Sequence, residues 1–116
     1  MKSSLIRLYH IRDAVCEIFL YTEGLEFEDF DDNTMVQSAV MRQFTVMGEA
    51  VKNVSDEIKT KYNHVRWQDI KDFRNVSVHE YFRVETEAVW ETILYRLLDL
   101  KTEIDIIINE LEKNEE

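Results

Sequence analysis

Two side chains near the middle of the chain, Arg74 and His79, have the chemistry needed to act on a phosphodiester. A guanidinium binds phosphate oxygens through a planar fork and keeps its charge, and an imidazole titrates near neutrality and can move a proton. Together they suit RNA cleavage by the ribose 2′-hydroxyl, with His79 transferring the proton, Arg74 stabilising the charged phosphorus centre and no metal required. The same spacing also recurs by chance in helical proteins, where the two residues only make surface or intersubunit hydrogen bonds.

The spacing of this pair and of Tyr81 does not fit a straight helix. Since each residue of an α-helix turns by about 100°, His79 lies about 140° around the helix from Arg74, whereas Tyr81 shares the face of Arg74. Val76 and Val78 are β-branched and weaken a helix at this point. We therefore expect either a break in the helix here or a second copy of the chain that completes the site.

The scarcity of turn-forming residues predicts an all-α fold. The 116 residues include no proline and two glycines, whereas strands need frequent turns that depend on such residues. Apolar residues recur at three- and four-residue steps, which is typical of helices with one buried face. We expect a single domain, residues 1–116, folded as a bundle of four to five helices with antiparallel neighbours.

The first part of the chain should form one long helix followed by an acidic connection. The apolar stripe predicts a helix over residues 3–22, and Gly24 stands where a left-handed stop is needed. Two phenylalanines in the acidic stretch 26–32 should attach a short helical turn or loop to the core.

A second long helix should open near Asn33 or Thr34, where Thr34 and Gln37 fit a capping box. Its apolar stripe continues without interruption to Ile58, which predicts a helix of that length. A shorter helix should follow around residues 67–73, after a polar break.

The last predicted helix covers residues 86–113 and carries a strict heptad pattern. The apolar residues of this pattern are Trp90, Ile93, Leu97, Leu100, Ile104, Ile107 and Leu111. Leu94, Leu98, Ile106 and Ile108 lie off the pattern, so this helix is apolar on more than one side. The surplus suggests a second contact, such as a subunit interface.

Net charge and its distribution bear on nucleic-acid binding. The net charge is −10, which opposes loose electrostatic binding to nucleic acid. The stretch 52–74 nevertheless has six basic residues against four acidic ones and leads directly into the Arg74 segment. Any RNA affinity should therefore be local.

Other features favour simpler interpretations. Cys16, the only cysteine, cannot form an intrachain disulfide and is expected to be a buried, inert thiol. His10, Asp13 and Glu17 stand one helical turn apart, but a single imidazole favours a solvated face over a metal site. We expect no cofactor and no metal. The N-terminal segment does not fit a signal peptide and no apolar run fits a membrane span, so we expect a cytoplasmic protein.

Several segments together resemble the HepT-like branch of the HEPN superfamily. The resemblance rests on residues 21–30, 47–53, 67–70, 73–75, 78–82 and 89–90, in that order. Within them, Arg74, four intervening residues, His79, one residue and Tyr81 match the arginine–histidine–tyrosine motif of that family. Asn75 is the polar residue favoured after the arginine. Ser77 departs from the family, which more often has a larger or charged residue there.

The resemblance implies a HEPN-type helical bundle that forms a homodimer in which the two motifs face each other. It implies a metal-independent endoribonuclease with RNA as its substrate, acting as the toxin of a type VII-like toxin–antitoxin pair. The implied partner is a minimal nucleotidyltransferase antitoxin of the MntA kind, which silences the toxin by transferring AMP to Tyr81. Alternatively, the chain is a non-catalytic helical subunit that regulates such a nucleotidyltransferase, or a plain dimeric adaptor.

Overall fold

A computed structural model describes the backbone of residues 2–78 and 82–114 and the side chains of residues 3–73 and 86–114. Within these ranges the chain forms seven helices. They are α1 (Lys2–Thr22), α2 (Phe27–Asp31), α3 (Thr34–Val51), α4 (Asp56–Lys61), α5 (Trp67–Val78), α6 (Phe82–Tyr95) and α7 (Leu97–Asn114). The predicted all-α bundle is confirmed. There are more segments than the four to five expected because α2 and α4 are short and the last long helix is divided in two.

Helix α3 lies at the centre of the bundle, where it packs against both α1 and α5, while α7 packs against α1. The start of α1 lies beside the end of α3, since the Ser55 amide donates to Ser4 Oγ at 2.9 Å. Farther along, Gln43 of α3 donates from Nε2 to Tyr21 Oη at 3.1 Å. These two contacts show that α1 and α3 are antiparallel, as predicted.

The connection between α1 and α3 follows the prediction. Gly24 has a φ of +79°, in the left-handed region that glycine adopts without steric cost. In α2 the Phe30 side chain is fully buried and Phe27 packs partly buried against the core.

The predicted capping box at Thr34 and Gln37 is wrong. Asn33 caps α3 instead, with its Oδ1 accepting from the Val36 amide at 3.1 Å. The Gln37 Nε2 atom donates to the carbonyl oxygens of Phe30 (2.8 Å) and Asp31 (3.0 Å). Gln37 therefore adds a side-chain donor to two carbonyl oxygens at the end of α2, which ties α2 to α3.

Helix α3 also ends earlier than predicted, at Val51. Val54 and Ile58 continue the apolar stripe and are both buried, but Val54 lies in a turn and Ile58 belongs to α4. Ser55 caps α4 by accepting from the Ile58 amide at 3.2 Å. The apolar stripe therefore predicts the buried positions correctly, although α3 ends within it.

The last predicted helix divides at Arg96 into α6 and α7. Hydrogen bonds of the α-helical type continue on both sides, from the Arg96 amide to the Thr92 carbonyl (3.0 Å) and from the Leu100 amide to the Arg96 carbonyl (3.1 Å). The residues of the heptad pattern are buried, apart from the half-buried Leu100. Because the hydrogen bonds continue, the apolar periodicity passes through the junction unchanged.

Of the four apolar residues outside the heptad pattern, three are exposed and one is buried. Leu94, Leu98 and Ile106 are 51%, 62% and 51% exposed, whereas Ile108 is buried in the core. Cys16 is half-buried rather than buried. No helix in the described ranges combines the length and the apolar character needed to cross a bilayer.

Candidate functional site

The sequence-predicted site lies around the connection between α5 and α6. Arg74 and Asn75 belong to α5, but their side chains lie outside the described residues. His79 and Tyr81 lie in residues 79–81, which are also outside the described part of the chain. The pairing of Arg74 with His79, and the expected break in the helix, therefore stay predictions. The surrounding helices show how this segment is supported.

An aromatic contact fixes α5 directly before Arg74. The ring of Phe73 lies 5.0 Å from the ring of Phe44 on α3, measured between centroids and tilted by 38°. Phe73 and Ile70 are both buried. Aromatic pairs of this geometry stabilise a contact beyond the area that they bury. The backbone that carries Arg74 is therefore held against the central helix.

Helix α2 anchors the start of α6. The Thr86 hydroxyl, which is buried, donates to Asp31 Oδ1 at 2.8 Å. One turn farther, the Trp90 ring packs on Phe30 (5.1 Å between centroids) and on Phe27 (6.5 Å). The short acidic helix thus supports the backbone that follows residues 79–81. Sequence reasoning missed this role because the partners are about 55 residues apart.

A shared carboxylate joins α5 to the α6–α7 junction. Asp69 Oδ2 lies 2.8 Å from Arg66 Nε and 2.6 Å from Arg96 Nη2. The pairing of Arg66 with Asp69, three residues apart, could have been read from the sequence, whereas Arg96 is 27 residues farther along the chain. The three side chains carry a net charge of +1, although the whole chain is acidic.

Two clefts open beside this shared carboxylate. The first, of about 220 Å³, lies between α5 and α6 and is lined by Asp72, Ala88 and Thr92 among others. The second, of about 240 Å³, lies at the α6–α7 junction. We call it the junction cleft, and its polar and aromatic lining includes His64, Arg66, Tyr95, Arg96, Asp99 and Glu103. Phe73 lines both clefts, so both lie directly beside the residue that precedes Arg74.

The described side chains provide no obvious metal centre. No group of three or more His, Cys, Asp or Glu side chains in the described ranges is arranged to hold a metal ion. On α1, His10 and Asp13 are exposed, as expected for a solvated face, whereas Glu17 is half-buried.

An apolar groove of about 720 Å³ lies on another face of the bundle, between α1 and the α6–α7 junction. Leu20, Leu94 and Leu98 line it with side chains that are more than half exposed, and the half-buried Cys16 also faces it. Exposed apolar surface of this kind marks a contact with another molecule more often than a random surface does.

Comparison with known proteins identifies similar chains. A family model described as "Ribonuclease HepT-like" matches residues 11–107. The chain is 35% identical to a "Putative RNase" of Methanocaldococcus jannaschii over 94% of its own length and 90% of that protein. It is 35% identical to a "Putative RNase" of Caldanaerobacter subterraneus subsp. tengcongensis over 93% of its length and 96% of that protein. It is 31% identical to the "Probable ribonuclease HepT" of Thermococcus cleftensis over 81% of its length and 86% of that protein. No solved structure gives a significant match.

Proposed function

This chain belongs to the HepT-like family, and we propose that it is a metal-independent endoribonuclease that cleaves RNA through Arg74 and His79. One observation carries the proposal: the family match covers residues 11–107, and the segment from Arg74 to Tyr81 inside it keeps the arginine, the histidine and the tyrosine at the motif spacing. The names of its relatives, which describe ribonucleases, support the same activity.

The proposed reaction is an internal transfer of the phosphoryl group. His79 takes the proton of the ribose 2′-hydroxyl, the 2′-oxygen attacks phosphorus, and the bond from phosphorus to the 5′-oxygen breaks as that oxygen takes a proton from water. Arg74 stabilises the negative charge that develops on the phosphoryl oxygens, and Asn75 supports it. The products are a 2′,3′-cyclic phosphate and a 5′-hydroxyl.

The described structure supports such a site through rigid helices on both sides. Phe73 fixes α5 to α3 one residue before Arg74, and Thr86 fixes α6 to α2 five residues after Tyr81. Catalytic groups need to be held within a fraction of an ångström of the productive geometry. Packing on both sides of the motif supports the proposal that the site is held in place.

We further propose that the chain acts as a homodimer. The groove lined by Leu20, Leu94 and Leu98 gives an apolar surface that a second copy would cover. In a two-fold dimer both copies use the same patch. The family resemblance further implies that the two motifs face each other in such a dimer.

The regulatory part of the proposal concerns Tyr81. A minimal nucleotidyltransferase antitoxin would transfer AMP to its hydroxyl, which makes this chain the toxin of a type VII-like pair. The added phosphate would carry negative charge into a site that must bind the RNA phosphate, and like-charge repulsion would oppose substrate binding.

Cleavage of a defined RNA by the purified protein in excess EDTA tests the activity. Wild-type protein should yield fragments that end in a 2′,3′-cyclic phosphate, and a substrate with 2′-O-methyl groups should stay intact because it lacks the nucleophile. His79→Ala should reduce the rate by about 10² to 10⁴ while its circular dichroism and melting temperature match wild type. Equal cleavage by both proteins would contradict the proposal.

The alternative is a non-catalytic subunit that regulates a nucleotidyltransferase. The net charge of −10 favours it, since acidic proteins bind RNA weakly. The same assay separates the two functions. A regulatory subunit would bind the nucleotidyltransferase and change its rate of AMP transfer while leaving the RNA uncut.

A further inference from the structure

The junction cleft has a composition that phosphate binding does not explain. Its lining includes the guanidinium groups of Arg66 and Arg96, but also the carboxylates of Asp69, Asp99 and Glu103. Three negative charges against two positive ones repel a phosphate group. The cleft nevertheless offers N–H donors, carboxylate acceptors and aromatic rings within about 240 Å³.

We propose that the junction cleft binds one unstacked base of the RNA strand and gives the site its nucleotide preference. This inference rests on the proposed function for its ligand, since it assigns a base-binding subsite to the same RNA. A base is uncharged, so the acidity of the cleft does not oppose it. It presents donors and acceptors along its edges and flat apolar faces, and proteins recognise single-stranded RNA through both features.

Each kind of group in the cleft has a counterpart on a base. Asp99 and Glu103 are four residues apart on α7 and therefore lie on the same face of that helix. Their carboxylates can accept hydrogen bonds from the amino groups of guanine, cytosine or adenine. The Tyr95 side chain is 73% exposed at the edge of the cleft, where its ring can stack on a base.

The two guanidinium groups of the cleft share one carboxylate, although the Arg66 side chain is 77% exposed and that of Arg96 46%. Asp69 Oδ2 contacts one nitrogen of Arg66 and one of Arg96, at 2.8 and 2.6 Å. A guanidinium has five N–H donors in a fixed plane, so further donors of each arginine can point into the cleft. Because Asp69 restrains both side chains, less conformational entropy is lost when they bind a base. We assign Asp69 a positioning role.

The cleft is close enough to the motif to serve the same RNA strand. Phe73, which lines the cleft, directly precedes Arg74 in α5. From Asp69 to Arg74 the helix advances about 7.5 Å along its axis, at about 1.5 Å per residue. A base in the cleft would thus belong to a nucleotide near the cleaved bond.

The chemistry also predicts which base binds best. Guanine presents an N–H and an amino group on one edge, which matches the two oxygens of a carboxylate, while its opposite edge accepts from arginine. Uracil lacks an amino group. A good bidentate contact discriminates against the wrong base by about fivefold or more, so guanine should bind tightest and uracil weakest.

The test measures binding with the full-length His79→Ala protein, which should bind RNA without cutting it. Four fluorescent hexanucleotides, identical except for A, C, G or U at one central position, are titrated by anisotropy. We expect the guanine oligonucleotide to bind about fivefold tighter than the uracil one. Adding Glu103→Gln should reduce this ratio to below about twofold, whereas adding Tyr95→Ala should weaken the binding of all four oligonucleotides, because every base can stack on the ring.

Matched controls use exposed residues that do not line the cleft. Glu91→Gln and Met35→Ala, each added to the same His79→Ala protein, should keep the full preference, and circular dichroism confirms that every variant is folded. Equal binding of the four oligonucleotides, no binding of any of them, a preference that survives in Glu103→Gln, or unchanged affinities in Tyr95→Ala overturns the subsite. Since binding is measured without cleavage, a wild-type protein that fails to cut RNA would refute the proposed activity alone.

Discussion

The Thr86 hydroxyl donates a 2.8 Å hydrogen bond to the carboxylate of Asp31, which joins the start of α6 to the end of α2. Thr86 is buried and Asp31 is half-buried. Hydrogen bonds to charged groups contribute about 1.5–3 kcal/mol to stability, more than neutral ones do. This contact lies five residues after Tyr81, so it bears on both the stability of the bundle and the support of the motif.

Replacing Thr86 by valine keeps the shape of the side chain and removes the hydroxyl. We expect the free energy of unfolding to fall by about 1–3 kcal/mol, measured by urea denaturation. Thr102→Val is the matched control, because the exposed Thr102 hydroxyl donates only to the Leu98 carbonyl of its own helix. Its effect should stay within about 0.5 kcal/mol. Equal losses in the two variants would show that the Asp31 contact contributes nothing specific.

Arg74→Lys keeps the positive charge but loses the planar fork that binds two phosphoryl oxygens at once. We expect cleavage to fall by about 10²-fold or more, as for other lost transition-state contacts, with an unchanged melting temperature. Lys71→Arg, the reverse exchange at an exposed position of the same helix, should cleave at the wild-type rate. A fully active Arg74→Lys protein would remove the bidentate contact from the mechanism.

Tyr81→Phe removes only the proposed AMP acceptor. The variant should cleave RNA nearly as fast as wild type and should resist silencing when it is expressed with the candidate nucleotidyltransferase. Intact-mass measurement after co-expression should find one or more added AMP groups on wild type and none on Tyr81→Phe. Modification of both proteins to the same extent would exclude Tyr81 as the acceptor.

A charge in the apolar groove should disrupt the proposed dimer. Leu98→Glu places a carboxylate on a surface that the second copy would bury, and an unpaired buried charge costs several kcal/mol. Sedimentation at micromolar concentration should find a dimer for wild type and a monomer for Leu98→Glu. Ile106→Glu, a similarly exposed residue of α7 that does not line the groove, should remain a dimer. If wild type sediments only as a monomer, the dimer is wrong.

The environment of Tyr62 leads us to expect a lower free energy of unfolding in alkaline solution. Burial, together with its hydrogen bond to Glu110 and the negative charge of that carboxylate, raises the pKa of Tyr62 from 10.0 to about 12. Because the folded-state pKa is raised, the neutral phenol stabilises the fold. This contribution is complete below pH 10 and is lost as the pH rises toward 12.

Tyr62→Phe has no group that titrates at this position, so its free energy of unfolding should fall less steeply between pH 10 and 12 than that of wild type. Urea denaturation across this range measures the two slopes. Parallel curves would show that the pKa of Tyr62 is the same in the folded and unfolded states.

The sequence identified most of the core because apolar spacing survives local changes of structure. The apolar spacing correctly predicts that Val54 and Ile58 are buried, but it does not reveal that Ser55 caps a new helix between them. In the same way, the heptad pattern does not reveal the division between α6 and α7 at Arg96, because the backbone hydrogen bonds continue there.

For the candidate site, sequence alone predicted Arg74, Asn75, His79 and Tyr81 through their spacing and the family resemblance. It did not predict the contacts of Asp31 with Thr86 or of Asp69 with Arg96, since polar partners on different helices leave no periodic signal. Such contacts depend on how helices cross, which apolar spacing does not specify. The polar contacts that hold the helices around the candidate site are therefore seen only in the folded structure.

The pairing of α1 with α7 has a consequence for the order of folding. Tyr9 on α1 donates a hydrogen bond to Glu112 on α7, and these residues are 103 positions apart in the chain. Contacts between distant residues require closure of a long loop, which slows their formation. During synthesis α1 and α3 are both available to pair long before α7 has been made. We therefore expect α1 and α3 to form the first compact unit, with the apolar face of α1 partly open to chaperones until α7 arrives.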